Sequence, residues 1–284
     1  MKQDIFPDSI EVKPFSGYEK CRFAILPVPY EGTVSYGKGA SKGPAAILEA
    51  SKNLETYDEE IDKNAYKAGI AVLNPLKSAS SPEQMVNDVE KASEKIINDN
   101  KFPVMLGGEH SITTGLVRAL RKKYNDLSVL QLDAHADLRQ EYHGTPYSHA
   151  SIMARVREIC PAVQVGIRSL SAEEAEWIKK NSLLVFWARD IYNNEDWFEK
   201  AIEKLSKNVF ITIDLDVFDP SVMSATGTPE PGGLDWYTVI KFLKKVCQKR
   251  NVVGFDVVEL APTKEVSCDF LAAKLVYRMI GYLS

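Results

Sequence analysis

Four short apolar runs in this sequence each end in ionisable residues, and stretches with helical periodicity separate them. The runs lie at residues 104–110, 129–137, 209–216 and 252–259. Strands that alternate with helices pair in parallel, and the helices then cover both faces of the sheet. The carboxyl ends of such strands meet at one edge, where ligands bind. The sequence therefore predicts an α/β fold with a mainly parallel central sheet, and one site built from several strand ends.

Eight strands and eight helices are predicted without an intervening linker, repeat or low-complexity segment, so we expect a single domain over residues 1–284. The strands are predicted at residues 23–28, 68–73, 102–106, 127–132, 163–167, 183–187, 208–213 and 252–258. The helices are predicted at residues 44–54, 82–98, 111–124, 149–158, 172–181, 195–206, 235–248 and 269–283. Ser81 is expected to cap the second helix, with Pro82 in its first turn.

The run 129–137, VLQLDAHAD, carries the densest group of ionisable residues. In extended backbone the side chains alternate between two faces, so Asp133, His135 and Asp137 are predicted on one side. Buried carboxylates repel one another and lose hydration unless a cation neutralises them. By itself the run could equally be an exposed loop, but its recurrence at other strand ends favours a cation site.

The run 209–216 repeats the two-residue spacing of carboxylates. Asp214 and Asp216 are predicted to share one face of an extended strand, with Leu215 turned away. Asp219 is followed by Pro220 and by a serine, so we interpret it as a turn residue rather than a metal ligand.

The histidines add nitrogen ligands to these carboxylates, because all four fall within residues 110–149. They are His110, His135, His143 and His149. Four aspartates would offset the charge of two divalent ions, which bridging carboxylates hold about 3.5 to 4 Å apart. Oxygen and imidazole ligands without thiolate favour manganese over a structural zinc, with zinc, cobalt and iron as alternatives. Two ions that share a water make hydroxide at neutral pH, which predicts a hydrolase.

Charge and cysteine usage argue against several other classes of protein. A formal net charge of -4 predicts neither a nucleic-acid partner nor an anionic membrane surface. We expect no membrane span and no signal peptide, because no apolar run has the required length without a charge. The four cysteines are scattered and form no CxxC pair, which favours a reducing cytoplasm over a disulfide framework. The glycine-rich loop at residues 30–44 matches no phosphate-binding fingerprint.

Three motifs resemble the signatures of the ureohydrolase family, which includes arginase and agmatinase. They are GGEHS at residues 107–111, DAHAD at 133–137 and ITIDLDVFDPSVMSATGTPEPGGL at 211–234. The likeness extends to PVPYEGTVSYGKGASKGPAAI near the start and FDVVELAP near the end. The resemblance implies a three-layer α/β/α sandwich with a mainly parallel central sheet. It also implies two manganese ions per subunit and a homotrimer or homohexamer.

The resemblance further assigns roles to single residues. It implies that His110 binds one ion and His135 the other, and that Asp133 and Asp214 bridge them. Asp137 and Asp216 would complete the two metal shells. The implied ligands are therefore His110, Asp133, His135, Asp137, Asp214 and Asp216.

The implied reaction is attack of a bridging hydroxide on a guanidinium carbon, which releases urea and an amine. Asp137 would hydrogen-bond the hydroxide and carry a proton to the leaving amine. Glu259 would clamp the guanidinium by paired charge-assisted hydrogen bonds, although a strand-end salt bridge is the alternative for it. The resemblance places Thr228 and His149 against the substrate. His149 in YSHAS is the favoured proton shuttle, with His143 as the alternative.

The motifs favour the agmatinase branch. Leu138 and Arg139 follow DAHAD, as in agmatinases, where arginases commonly have an asparagine that binds the amino-acid head. The expected substrate is therefore a small cationic guanidine, agmatine, cleaved to putrescine and urea. The alternatives are aminopropylagmatine, guanidinobutyrate or arginine, with the loops at 30–44 and 139–148 expected to decide. A metal-dependent phosphatase and a non-catalytic guanidine-binding protein are the rival classes.

Overall fold

Eight strands form one sheet in which all seven neighbouring pairs run parallel. The computed structural model describes residues 5–192 and 194–284. In chain order the strands are β1 Phe23–Val28, β2 Tyr57–Asp58, β3 Lys63–Asn64, β4 Ile70–Val72, β5 Phe102–Gly107, β6 Leu127–Leu132, β7 Ala162–Ile167, β8 Leu184–Trp187, β9 Asn208–Asp214 and β10 Asn251–Val258. The short strands β2 and β3 form a separate antiparallel pair.

The helices cover both faces of this sheet. In chain order they are α1 Gly43–Ser51, α2 Pro82–Asn98, α3 Thr113–Lys123, α4 Ile152–Ile159, α5 Ala172–Asn181, α6 Ala188–Ile191, α7 Trp197–Glu203, α8 Trp236–Lys249 and α9 Ser267–Leu283. Short 3-10 turns lead into α1, α3 and α4. Ser81 caps α2 as predicted, because its side chain accepts a hydrogen bond from the backbone N–H of Gln84.

Alternation along the strands divides the interior into two hydrophobic cores. On β1, Phe23 and Ile25 pack into the core formed with α1, α7, α8 and α9. The intervening Ala24 and Leu26 pack into the core formed with α2, α3, α4 and α5. Strands that are apolar on both faces are typical of a parallel sheet enclosed between helix layers. The predicted three-layer α/β/α architecture is confirmed.

The strand order places the candidate site at the middle of the sheet. The order is β4-β1-β5-β10-β9-β6-β7-β8, so β5, β10, β9 and β6 are consecutive neighbours. These are the four strands whose apolar runs end in ionisable residues. Parallel pairing brings their carboxyl ends to the same edge, as predicted, and the strand order, which was not predicted, makes these four ends adjacent.

The predicted elements are present, with several local differences. The predicted helix 195–206 is the shorter α7, and helix α6 and the β2–β3 pair were not predicted. The extended backbone predicted for Asp214 and Asp216 is wrong, because a 3-10 turn, Leu215–Val217, follows Asp214. The extended backbone predicted for residues 133–137 includes His135, which forms an isolated parallel β-bridge with Ser169. It does not include Asp137, whose φ of 54° is left-handed. Of the helices in the described part of the chain, none is both long and apolar enough to cross a bilayer.

Candidate metal centre and active-site cleft

His110 lies at the centre of the carboxylates that the strand ends bring together. Its Nδ1 is 3.1 Å from Asp133 Oδ2, 3.2 Å from Asp137 Oδ2 and 3.3 Å from Asp214 Oδ2. Its Nε2 is 2.8 Å from Thr212 Oγ1. Nδ1 is buried and has no hydrogen-bond partner of acceptable geometry among the described residues. Nδ1 thus lies within 3.3 Å of three carboxylates, and His110, Asp133 and Asp137 offer ligand atoms close enough together to hold one cation.

His135 forms a second group with the opposite oxygen of Asp133. Its Nδ1 is 2.9 Å from Asp216 Oδ2 and 3.7 Å from Asp133 Oδ1. His110, in contrast, faces Asp133 Oδ2. Two sets of ligand atoms that could each hold a metal ion therefore share Asp133, which is fully buried. A shared carboxylate between two such sets is the arrangement that holds a pair of ions.

Unbalanced negative charge shows that this cluster fits cations. Burial and the neighbouring Asp216 and Asp133 raise the pKa of Asp214 well above its usual range. Burial and the charge of Asp133 raise the pKa of Asp137 to about 7. Burial alone would lower the pKa of His110, but Asp133, Asp137 and Asp214 raise it well above its usual value. Divalent ions would remove this mutual repulsion, and the imidazole and carboxylate donors suit them.

Hydrogen bonds from backbone amides orient the carboxylates. Asp214 Oδ1 accepts from the N–H of Asp216 at 3.0 Å, because the 3-10 turn points that amide back at the side chain. Asp216 Oδ1 accepts from the N–H of Ala134 at 3.0 Å, which ties the end of β9 to the end of β6. Asp133 Oδ1 accepts from the N–H of His135 at 2.6 Å. The 3-10 turn Leu215–Val217, which replaces the predicted extended backbone, therefore orients Asp214.

Two buried glutamines on β6 and β7 form a support that the sequence analysis missed. Gln131 Nε2 donates to Asp133 Oδ2 at 2.7 Å, and Gln164 Nε2 donates to Gln131 Oε1 at 2.7 Å. Arg157 donates to Gln164 Oε1 at 3.1 Å. The sequence contained evidence for this support, because a polar side chain such as Gln131 or Gln164 in the middle of a buried apolar strand requires a polar partner.

Glu259 lies where the end of β10 meets the loop after β5. Its Oε1 accepts from the backbone N–H of His110 at 2.7 Å, and its own N–H donates to Gly108 O at 2.8 Å. Its backbone has a left-handed φ of 67°. Burial and the nearby Glu109 raise its pKa to about 8. Among the described residues Glu259 has no ion pair with lysine or arginine, so the alternative of a strand-end salt bridge finds no support.

The two candidate shuttle histidines have different surroundings. His149 lines the cleft, and its Nδ1 is 3.1 Å from Thr33 Oγ1. Burial and the charges of His135 and His110 lower the pKa of His149 to about 4, so its ring is neutral at pH 7. His143 is exposed, has a left-handed φ of 51° and is not among the residues that line the cleft. The geometry favours His149.

The cleft over the metal centre has a volume of about 150 Å³. Both loops that were expected to decide the substrate contribute to it. Thr228 lines the cleft as the resemblance implied, and so do Arg139 and Tyr142. The Arg139 guanidinium lies 5.3 Å from the centre of the Tyr142 ring. Arg139 therefore places a cation at the cleft. From the sequence, Arg139 served only to favour the agmatinase branch, and its place in the cleft was not predicted.

Asp219 does not join this group and has the role of a turn residue, as predicted. Its carboxylate accepts hydrogen bonds from Ser221 N, Gly232 N and Gly233 N. These bonds, with that of the Ser221 hydroxyl, lower the pKa of Asp219 to about 2. The structure therefore brings together the six expected ligands, four aspartates and two histidines, and leaves Asp219 outside this group.

Comparisons with known proteins agree along almost the whole chain. The Arginase family model matches residues 21–281. The chain is 40% identical to the N(1)-aminopropylagmatine ureohydrolase of Synechocystis sp., over 96% of this chain and 92% of that protein. It is 35% identical to the agmatinase of Pyrococcus horikoshii, over 91% of each.

The fold is also similar to that of a solved structure. The crystal structure of the agmatine ureohydrolase of Thermoplasma volcanium matches with a TM-score of 0.89 and 32% identity, over 100% of this chain and 95% of that chain. The motifs, the strand order and these matches all agree. The chain therefore belongs to the arginase family, the ureohydrolase family that its sequence motifs resemble.

Proposed function

We propose that this protein is a binuclear metal hydrolase that removes urea from a guanidine whose chain ends in an amine. The observation that carries the proposal is the pair of ligand sets that share Asp133, next to a cleft in which Glu259 carries no cationic partner among the described residues. A bound guanidinium would provide that partner, because a carboxylate and a guanidinium form two parallel charge-assisted hydrogen bonds.

The metal pair is assigned to six side chains. His110, Asp137 and Asp133 would hold one ion, and His135, Asp216 and Asp133 the other, with Asp214 as a second bridge beside His110. Oxygen and imidazole donors support manganese as the ion. When bound, two such ions supply a hydroxide at neutral pH and stabilise negative charge as it develops.

The remaining roles belong to side chains of the cleft. Glu259 binds and orients the guanidinium so that its carbon faces the metal centre. Asp137 accepts the proton of the attacking oxygen and carries it to the leaving amine, first as a general base and then as a general acid. His149 passes a proton from solvent to the leaving amine, and Thr228 contacts the substrate from the cleft wall.

Relatives guide the choice of substrate. The sequence alone favoured agmatine, with aminopropylagmatine as one alternative. Proteins named N(1)-aminopropylagmatine ureohydrolase are 37–40% identical to this chain, whereas the agmatinase of Pyrococcus horikoshii is 35% identical. We therefore propose N(1)-aminopropylagmatine as the preferred substrate and agmatine as the second candidate. Arg139 at the cleft is the observation that keeps a carboxylate-bearing guanidine, guanidinobutyrate or arginine, in the comparison.

Urea release tests this proposal directly. Protein reconstituted with manganese is compared at equal concentrations of N(1)-aminopropylagmatine, agmatine, guanidinobutyrate and arginine, with metal-free protein as the control. We expect manganese-dependent urea release, highest with N(1)-aminopropylagmatine. A preference for guanidinobutyrate or arginine would still support the proposed reaction. It would also favour Arg139 as the residue that selects the substrate. Absence of urea from all four would refute the proposed reaction.

We also propose that residues 1–284 form one ureohydrolase domain, and that the protein is a cytoplasmic homotrimer or homohexamer. The domain assignment predicts a single cooperative unfolding transition. Light scattering of the protein as it elutes from a size-exclusion column measures the oligomeric state. A monomeric mass would contradict the proposed homotrimer or homohexamer.

A further inference from the structure

Thr33, in the loop after β1, connects His149 to a fully buried carboxylate. Thr33 Oγ1 donates to Glu109 Oε1 at 2.8 Å, and the Thr33 backbone N–H donates to Glu109 Oε2 at 2.7 Å. On its other side, Thr33 Oγ1 lies 3.1 Å from His149 Nδ1. The backbone N–H of His149 also donates to Thr33 Oγ1, at 3.1 Å. One hydroxyl therefore joins a side chain of the cleft to Glu109.

The hydrogen-bonding capacity of that hydroxyl is fully used. A threonine hydroxyl donates one hydrogen bond and accepts two. Its single proton points to Glu109, which also receives the Ser111 hydroxyl at 2.5 Å. One acceptor position takes the His149 backbone N–H. The remaining contact, with His149 Nδ1, must then be one in which the hydroxyl accepts, so Nδ1 carries a proton.

We propose that Thr33 and Glu109 are positioning residues that fix the tautomer and the ring orientation of His149, a role that rests on the proposed function of His149 as proton shuttle. With the proton held on Nδ1, Nε2 of the neutral ring has a free lone pair. Nε2 can then take up a proton and release it again while Nδ1 keeps its own. In a neutral imidazole the hydrogen bond made by one nitrogen decides the state of the other.

The position of Thr33 makes this more than a packing contact. Thr33 belongs to the loop at residues 30–44, and Val34 to Gly37 of the same loop line the cleft. Glu109 is adjacent to His110 and belongs to the loop after β5. The Thr33 hydroxyl thus connects the cleft wall, the loop next to a proposed metal ligand and the shuttle histidine.

Replacement of Thr33 separates positioning from folding. Thr33→Val removes the hydroxyl and keeps the branched shape, whereas Thr33→Ser keeps the hydroxyl. Ser41→Ala is the matched control, because Ser41 Oγ donates to Glu31 Oε2 at 2.7 Å in the same loop and has no contact with His149. The full-length protein is labelled with ¹⁵N at its histidines and loaded with Zn²⁺, which is diamagnetic. Side-chain ¹⁵N shifts then report which ring nitrogen of His149 carries the proton.

We expect Nδ1–H for His149 in the unmodified protein and in Thr33→Ser. Thr33→Val should move the ring to a mixture of tautomers or to Nε2–H. With manganese, Thr33→Val should lower kcat about 10- to 100-fold, with KM changed much less. This loss is smaller than the full contribution of a general acid or base, about 10²–10⁴-fold, because the imidazole remains. Ser41→Ala should match the unmodified protein in both measurements.

Two results would overturn the inference. One is Nε2–H in the unmodified protein, which needs no variant and remains decisive if Thr33→Val does not fold. The other is a valine variant with unchanged tautomer and unchanged kcat. Absence of urea with a correct Nδ1–H tautomer would instead refute only the proposed function, so the two failures are distinguishable.

Discussion

Two acidic clusters in this molecule, each with a fully buried aspartate, Asp58 in one and Asp133 in the other, balance their charge in opposite ways. At the hairpin cluster, defined here as Asp58, Glu59, Glu60, Lys274 and Arg278, the arginine donates to all three carboxylates at 2.9 Å. Lys274 lies 3.4 Å from Asp58. The protein therefore supplies its own cations at this site, which joins the β2–β3 pair to α9.

No lysine or arginine in the described part of the chain pairs with the four aspartates of the candidate metal centre. Their ion pairs there are with two histidines, His110 and His135. The pKa values show the contrast. Burial raises the pKa of Asp58, but Arg278 outweighs burial and holds it below its usual value, whereas the pKa of Asp214 is far above it. An acidic cluster without lysine or arginine indicates a ligand that brings positive charge.

The strongest test of this contrast is Asp133→Asn. The change removes the carboxylate shared by both ligand sets, so we expect loss of both metals and a fall in turnover of more than about 100-fold, since even groups behind the ligands cost 10–100-fold. Metal content by elemental analysis and urea release measure the two effects. Asp219→Asn is the control and should keep its metals. An active Asp133→Asn protein that binds two ions would break the assignment.

The next largest effect is expected at His149, the proposed proton shuttle. His149→Asn should lower kcat by about 10²–10⁴-fold, the range for a general acid or base. His143→Asn should change kcat little, because His143 is exposed and asparagine tolerates its left-handed backbone. Both variants are compared by steady-state kinetics at equal metal content. A greater loss in His143→Asn would reverse the assignment.

Glu259→Gln should act on the substrate and leave the metals in place. Loss of one partner of a buried charge pair costs about 2–5 kcal/mol, which we expect in kcat/KM. Glutamine keeps an oxygen that can accept the hydrogen bond from the His110 N–H, so the loop after β5 should keep its position. Unchanged kcat/KM would show that Glu259 does not bind the guanidinium.

Arg278→Met should have the smallest effect on turnover and a large effect on stability. It leaves the fully buried Asp58 without its main partner, and breaking a buried pair costs about 3–5 kcal/mol. The control is Lys249→Met, which removes an exposed pair with Glu199 and should cost at most about 1 kcal/mol. Denaturant unfolding measures both variants. A large loss of activity in folded Arg278→Met would contradict the view that this cluster is structural.

The pH dependence of that stability difference has a definite sign. The pKa of Asp58 is lowered in the folded protein, so its contribution is present above the unfolded-state pKa and is lost as pH falls through the lower, folded-state value. The difference in unfolding free energy between the unmodified protein and Arg278→Met should therefore decrease in acid. A difference that grows on acidification would show that Asp58 is not the group responsible.

Much of the fold was predictable because its pattern is local. Apolar runs and helical periodicity located the eight strands of the sheet, and the six residues that the family resemblance implies as metal ligands follow the ends of three of those strands. The errors lie where contacts distant in sequence act on the backbone. Asp216, in the 3-10 turn after Asp214, accepts a hydrogen bond from the Ala134 N–H, and the carbonyl of the left-handed Asp137 accepts one from the Met153 N–H. Side-chain alternation does not encode such contacts.

The sequence by itself determined the kinds of side chain available and the strands that carry them: six potential metal ligands, Glu259, His149 and a parallel sheet. Only the tertiary structure decided that β5, β10, β9 and β6 lie side by side, and that Asp133 faces both histidines. It also decided that Thr33 contacts His149 across 116 residues of chain. The physical reason is that local backbone preferences act over a few residues, whereas strand order and long-range contacts are fixed by burial of both faces of the sheet.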